Sequence, residues 1–78
     1  MMNDNEIARC VRKAMDGYFR DLDGEKPCAI HNMVISSVER PLLELVLHRV
    51  AGNQTRAAQL LGLNRNTLRK KMKEYGIK

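Results

Sequence analysis

Tryptophan is absent, phenylalanine occurs once and tyrosine twice, so few large aromatic side chains are on hand to build a core. A chain of 78 residues makes one domain at most. At that size only roughly 60–65% of the unfolded surface is buried, which leaves a lone monomer marginal. Cysteine is scarce too. Cys10 and Cys28 are the only two, and without a secretory signal they read as reduced thiols of a cytoplasm rather than a disulfide. Cys28 and His31 share a CxxH spacing, but no second ligand pair accompanies them, so no zinc site is expected. No apolar run approaches the ~18 residues of a membrane span, and the opening MMNDNE is acidic and polar, unlike a signal peptide. His31 and His48 stand apart from any cysteine or carboxylate cluster, and there is no phosphate-binding glycine loop. With no catalytic constellation, the expectation is a non-enzyme that needs neither cofactor nor metal. Oligomerisation remains as the route to stability, and a homodimer is expected.

What is present is an uneven charge. Residues 53–78 carry seven Lys and Arg against Glu74 alone, while residues 1–52 carry seven against eight acidic residues. The formal charge of +5 therefore sits at one end. A small, basic, helical end on a near-neutral body points to a nucleic-acid reader.

The first periodic segment, residues 5–22, places Ile7, Cys10, Val11, Ala14, Met15, Tyr18, Phe19 and Leu22 on one helical stripe. Asn3, Asp4 and Asn5 are candidate N-caps, and Asp4 and Glu6 sit on the favourable side of the helix dipole. Gly17 lies within the stripe, and Asp23-Gly24-Glu25-Lys26-Pro27 reads as a loop. A second pattern runs from about Ile30 through Met33, Val34, Val38, Leu42, Leu45 and Val46 to Arg49. Pro41 can open a new helix as a first-turn proline or bend one long helix. The stripe stays in phase across it, which favours a single kinked helix. Leu43 and Leu47 add apolar surface beyond that stripe, and a helix so apolar in so small a chain needs a cover. The same helix of another subunit is the natural one.

Gly52-Asn53 ends this helix, and Asn53 can cap the next, Gln54 to Leu61, with Ala57, Ala58 and Leu61 inward. Gly62-Leu63-Asn64 makes a tight turn in which Gly62 is free to take positive φ. Asn64 caps a last helix, Arg65 to about Tyr75, which buries Leu68 and Met72 and ends at Gly76. A small residue at Ala58, glycine at the corner and Leu68 on the second helix are the spacing of a helix-turn-helix. Arg65, Asn66 and Arg69 fall near the start of that second helix, where recognition helices touch base edges. Lys70, Lys71 and Lys73 continue around it. Arginine suits bidentate contact with guanine, whereas lysine acts mostly as a point charge on phosphate.

At GNQTRAA and GLNRNTLRKKMKEYGI the chain resembles the C-terminal signature of the Fis family, the bacterial factor for inversion stimulation and nucleoid-associated regulator. The similarity extends back through Val38-Glu39-Arg40-Pro41-Leu42-Leu43 and Tyr18-Phe19, and covers essentially residues 6–78. The resemblance implies an all-α homodimer with four helices per chain. Residues 1–52 would intertwine as two dimerisation helices, the second kinked at Pro41. Residues 53–78 would project as the helix-turn-helix that binds double-stranded DNA. By the same resemblance the DNA-facing residues are Asn53, Thr55, Asn64, Arg65, Thr67, Arg69, Lys70, Lys71 and Lys73. Arg65 would read a guanine at the outer edge of each half-site, with Asn64 near a more permissive base step. Thr67, Arg69, Lys70, Lys71 and Lys73 would grip phosphates, joined by Asn53 and Thr55 from the first helix of the motif. Asn66 departs from the family, whose best-known members have glycine there; its side chain either adds a contact or crowds the backbone near the DNA.

In the family the two recognition helices are closer together than one turn of straight B-DNA, which implies a bent duplex with a narrowed central minor groove. A/T-rich centres, which narrow easily, should then bind better without being touched. The implied protein is a cytoplasmic, nucleoid-associated regulator of transcription, with RNA polymerase as a further partner and no membrane. Members that stimulate invertases carry an N-terminal β-hairpin arm. This sequence begins almost at the first core helix, so it is expected to bind and bend DNA without activating an invertase through such an arm. Two other readings compete. One is the C-terminal DNA-binding module of an enhancer-binding activator; the other is a helical adaptor whose basic face binds an acidic protein, which predicts no preference among duplexes.

Overall fold

The computed structural model describes residues 5–78. The described residues form four helices and no strand: α1 (Glu6–Asp21), α2 (Ile30–Arg49), α3 (Gln54–Leu61) and α4 (Arg65–Tyr75). The expected all-α class and its four helices are the ones observed. The chain divides into two compact units, one up to Val34 and one from Ile35.

In the first unit, α1 starts where its cap dictates. The Ala8 N–H donates to Asn5 Oδ1 at 3.0 Å, satisfying one orphan donor of the first turn. Asn3 and Asp4, the other expected caps, lie outside the described residues. Glu6 in the first turn and Arg20 in the last both suit the helix dipole. The apolar stripe forms, yet no residue of α1 is buried in the single chain. Ile7 and Phe19 are more than half exposed, at 55% and 51%. The Tyr18 and Phe19 rings meet edge to face with centroids 5.6 Å apart.

Helix α2 runs unbroken through Pro41, so the proline opens no new helix. It has no N–H to give to the helical ladder, and the apolar positions stay in phase on either side of it. The helix ends at a turn where Gly52 takes φ 83° and its N–H donates to the Leu47 carbonyl at 2.8 Å.

The second unit holds the core. Leu43 and Leu47 of α2, Ala57 and Ala58 of α3, and Leu68 and Met72 of α4 are buried together. Val46, Val50, Leu61, Leu63, Tyr75 and Ile77 pack around them. Fully burying a leucine stabilises by about 1.5–3 kcal/mol, so this small cluster is a large part of what holds α3 and α4 in place. Packing does not break at Gly52, since α2 and the two helices after it share one core.

Helix α2 has two apolar faces. With about 3.6 residues per turn, Leu43 and Leu47 fall on one side and Ile35, Val38, Leu42 and Leu45 on another. The first pair is covered by α3 and α4. The second set is exposed, Leu45 by 63%. The residues that look surplus in the sequence are therefore the ones that hold the helix-turn-helix, while Val38, Leu42 and Leu45 of the main stripe are left at the surface.

Candidate nucleic-acid interface

Each helix of the motif is set by asparagine in front and glycine behind. The Arg56 N–H donates to Asn53 Oδ1 at 3.1 Å, and the Asn66 N–H donates to Asn64 Oδ1 at 2.7 Å. Both asparagines thus use the carbonyl half of the side-chain amide as an N-cap and keep their NH2 group as a donor. At the corner between the helices Gly62 takes φ 72°, in the left-handed region. There the Leu63 N–H donates back to the Ala58 carbonyl at 2.9 Å. Gly76 repeats the device at the end of α4, where the Ile77 N–H donates to the Met72 carbonyl at 2.8 Å and Ile77 packs against the core.

The caps fix where α4 begins and ends, and core packing fixes which side of it faces out. Leu68 and Met72 point into the core, at 0% and 6% exposure. Arg65, Asn66, Thr67, Arg69, Lys70 and Lys73 are all exposed. Arg69, Lys73 and Lys78 line one shallow hollow with Gln54 of α3, so the start of α3 adjoins the basic flank of α4. Asn53 and Thr55, on either side of Gln54, are exposed as well. Eight of the nine residues expected to face DNA therefore lie exposed on the two helices of the motif or their caps. With no acidic side chain in α3 and Glu74 alone in α4, the surface they form is cationic.

Lys71 is placed differently. Its ammonium donates to Glu39 of α2, with Nζ 3.2 Å from Oε1 and 3.0 Å from Oε2. The Tyr75 hydroxyl donates to the same Oε1 at 2.7 Å. The hydrogen bond from Tyr75, then that from Lys71, holds the Glu39 carboxyl below its usual range. Accepting these bonds, Glu39 in turn raises the Lys71 ammonium and the Tyr75 phenol. Sequence pattern gives no signal for this cluster, because Glu39 and Lys71 are 32 residues apart and on different helices.

Elsewhere the chemistry is plain. Cys10 and Cys28 are free and exposed, and His31 and His48 lie on the surface of α2. Among the described residues no group of three or more His, Cys, Asp and Glu could hold a metal ion. Nor is any described helix long and apolar enough to cross a membrane.

Two short helices at a glycine corner, capped by asparagine and carrying a cationic outer face, define a helix-turn-helix protein. The model of the bacterial regulatory protein family Fis matches residues 34–75, from the middle of α2 to the end of α4. A Fis-like DNA-binding protein of Ralstonia nicotianae is 51% identical over 97% of this chain and 99% of its own length. A Fis-like DNA-binding protein of Neisseria meningitidis serogroup A is 47% identical over 92% of the chain and 91% of its own length. DNA-binding protein Fis of Glaesserella parasuis is 46% identical over 95% of the chain and 76% of its own length. The chain belongs to the Fis family.

Proposed function

We propose that the protein binds double-stranded DNA as a homodimer, reads it sparsely and bends it. The observation that carries this reading is the outer face of α4, where Arg65, Asn66, Thr67, Arg69, Lys70 and Lys73 are exposed on a helix whose start is fixed by Asn64. Arg65 reads a guanine in the major groove through its two-pronged guanidinium. Asn64 lies beside it at a more permissive step. Thr67, Arg69, Lys70 and Lys73 hold phosphates on one side, and Asn53 and Thr55 hold them from the start of α3. The names of the relatives, all DNA-binding proteins, support the same reading.

The homodimer is supported by what the single chain leaves uncovered. Ile7 and Phe19 on α1, and Ile35, Val38, Leu42 and Leu45 on α2, are large apolar side chains at the surface. So much exposed apolar area on two helices of a 78-residue chain is the kind of surface a second subunit would cover. Residues 1–52 would then dimerise, with α2 bent at Pro41, and residues 53–78 would present one reader per subunit. Two readers held closer than a turn of straight duplex force DNA to curve around them. A/T-rich centres, whose minor groove narrows readily, are then preferred without contact. A dimer of this kind associates with the nucleoid and regulates transcription, meeting RNA polymerase where its sites adjoin a promoter.

The test is a gel-shift series in increasing salt on two duplexes that share outer guanines and differ in an A/T-rich or G/C-rich centre. Tight binding of a dimer that favours the A/T-rich centre and weakens with salt is expected. Weak, equal binding to both would reject DNA reading and leave a cationic helical module for an acidic protein partner.

A further inference from the structure

We propose that Glu39 is a positioning residue for the recognition helix, holding the Lys71 ammonium against α2 and off the phosphate backbone. The inference rests on the DNA-binding reading above and concerns how that surface is set. Among the described residues of α4, Lys71 is the only basic one in an ion pair, and it alone of the five is partly buried, its side chain being 28% accessible. The carboxylate that captures it is fixed from a second side by Tyr75, one turn further along α4. Two residues of α4 thus converge on one acceptor of α2, a geometry that resists both rotation and sliding of the helix.

Position around the helix separates Lys71 from its neighbours. Consecutive residues are about 100° apart, so Lys70 and Lys71 cannot share a direction. Lys70 faces away from the core, whereas Lys71 lies on the flank that meets α2. Thr67, Lys70, Lys71, Lys73 and Glu74 nonetheless line one open hollow, so a released Lys71 side chain could swing into the same solvent-facing space. Electrostatics opposes that release. If Lys71 left Glu39 for a phosphate, it would strand a half-buried carboxylate beside a polyanion. Keeping the pair intact both fixes α4 and neutralises a negative charge close to the DNA.

Counterion release tests this, since each phosphate neutralised adds about 0.9 to the slope of log K against log salt. Wild type, Lys70→Ala, Lys71→Met and Glu39→Ala would be titrated against one symmetric duplex, with folding of each checked by circular dichroism. Lys70→Ala is expected to lower the slope by about 0.9 per subunit. Lys71→Met should weaken binding while leaving the slope unchanged. Glu39→Ala should raise the slope by up to the same increment as the freed lysine finds a phosphate. Should Glu39→Ala fail to fold, Glu39→Gln keeps the shape, removes the charge and should move the slope in the same direction. A Lys71→Met slope that falls as far as that of Lys70→Ala overturns the proposal, as does a wild-type slope in the Glu39 variants. Absence of any salt-dependent binding by wild type would overturn the DNA reading itself, a distinct failure.

Discussion

The Leu63 N–H donates to the Ala58 carbonyl at 2.9 Å, across the residue that turns the chain from α3 to α4. Ala58 therefore serves twice. Its methyl is buried, with 4% exposure, where the helices pack, and its carbonyl anchors the corner that sends α4 away from α3. Gly62 between them takes φ 72° and ψ 27°, and a Cβ built there would meet nothing within 4 Å.

Gly62→Ala therefore isolates backbone strain from steric clash. There is room for the methyl, so the whole cost is that of holding an L-residue in the left-handed region, about 1–2 kcal/mol. Urea unfolding should show a loss of that size with an unchanged m-value. A loss above about 4 kcal/mol would mean the corner does more than set the turn.

The Glu39 cluster predicts how stability varies with pH. Tyr75 and Lys71 hold the Glu39 carboxyl below its usual range, so it is more acidic folded than unfolded. Its contribution is present above the unfolded carboxylate value, about 4.3, and is lost as pH falls through the lowered folded value. Glu39 raises Tyr75 and Lys71 in the folded state. Their contribution is present below the unfolded values, about 10, and is lost as pH rises through the raised ones. Wild-type Tm should therefore fall at both ends, and Glu39→Gln should flatten both limbs. Parallel curves for the two proteins would remove the cluster from the account.

Local signals carry most of this fold. Asn53, Gly62, Asn64 and Gly76 act within four residues of themselves, so each helix boundary after Gly52 is legible where it occurs. Leu68 and Met72 announce their burial by helical spacing. The non-local pairings are less legible. Leu43 and Leu47 read as excess because nothing in α2 tells that a second face is covered by helices that come later in the chain. Lys71 reads as one more cation in an RKKMK run, because its partner lies on another helix. Charge and resemblance pointed to the cationic face, and helical spacing turns Lys71 away from Lys70, but only the packing of α2 against α4 gives Lys71 its partner.

Two leucines should behave oppositely on truncation. Leu68 is 0% exposed at the centre of the cluster, and Leu60 is 62% exposed on α3. Leu68→Ala should cost about 2–5 kcal/mol through lost burial and a residual cavity. Leu60→Ala should stay within about 0.5 kcal/mol. Chemical denaturation measures both, and similar losses would mean Leu60 is covered in solution.

Leu45 discriminates between a lone chain and a dimer. It is 63% exposed in the single chain, so Leu45→Glu on a monomer would be nearly neutral. If α2 packs against its counterpart, the same change buries an unpaired carboxylate at the interface and drives the subunits apart. Sedimentation should show wild type as a dimer and Leu45→Glu as a monomer, with a Tm that depends on protein concentration only for the former. A monomeric wild type would contradict the proposed assembly.

Arg65 and Lys73 should separate reading from gripping. Both are exposed on α4, at its first turn and its last. A two-pronged guanidinium contact to guanine discriminates against the wrong base by about 1–3 kcal/mol, so Arg65→Ala should lose affinity on that scale for the preferred duplex. It should lose much less on a duplex whose outer guanines are replaced, which flattens the preference. Lys73→Ala should instead weaken every duplex alike and lower the salt slope by about 1 per subunit. Binding isotherms on the two duplexes at three salt concentrations resolve the pair. Undiminished guanine preference in Arg65→Ala would move base reading to Asn64 or Asn66, the neighbours that flank it at the start of α4.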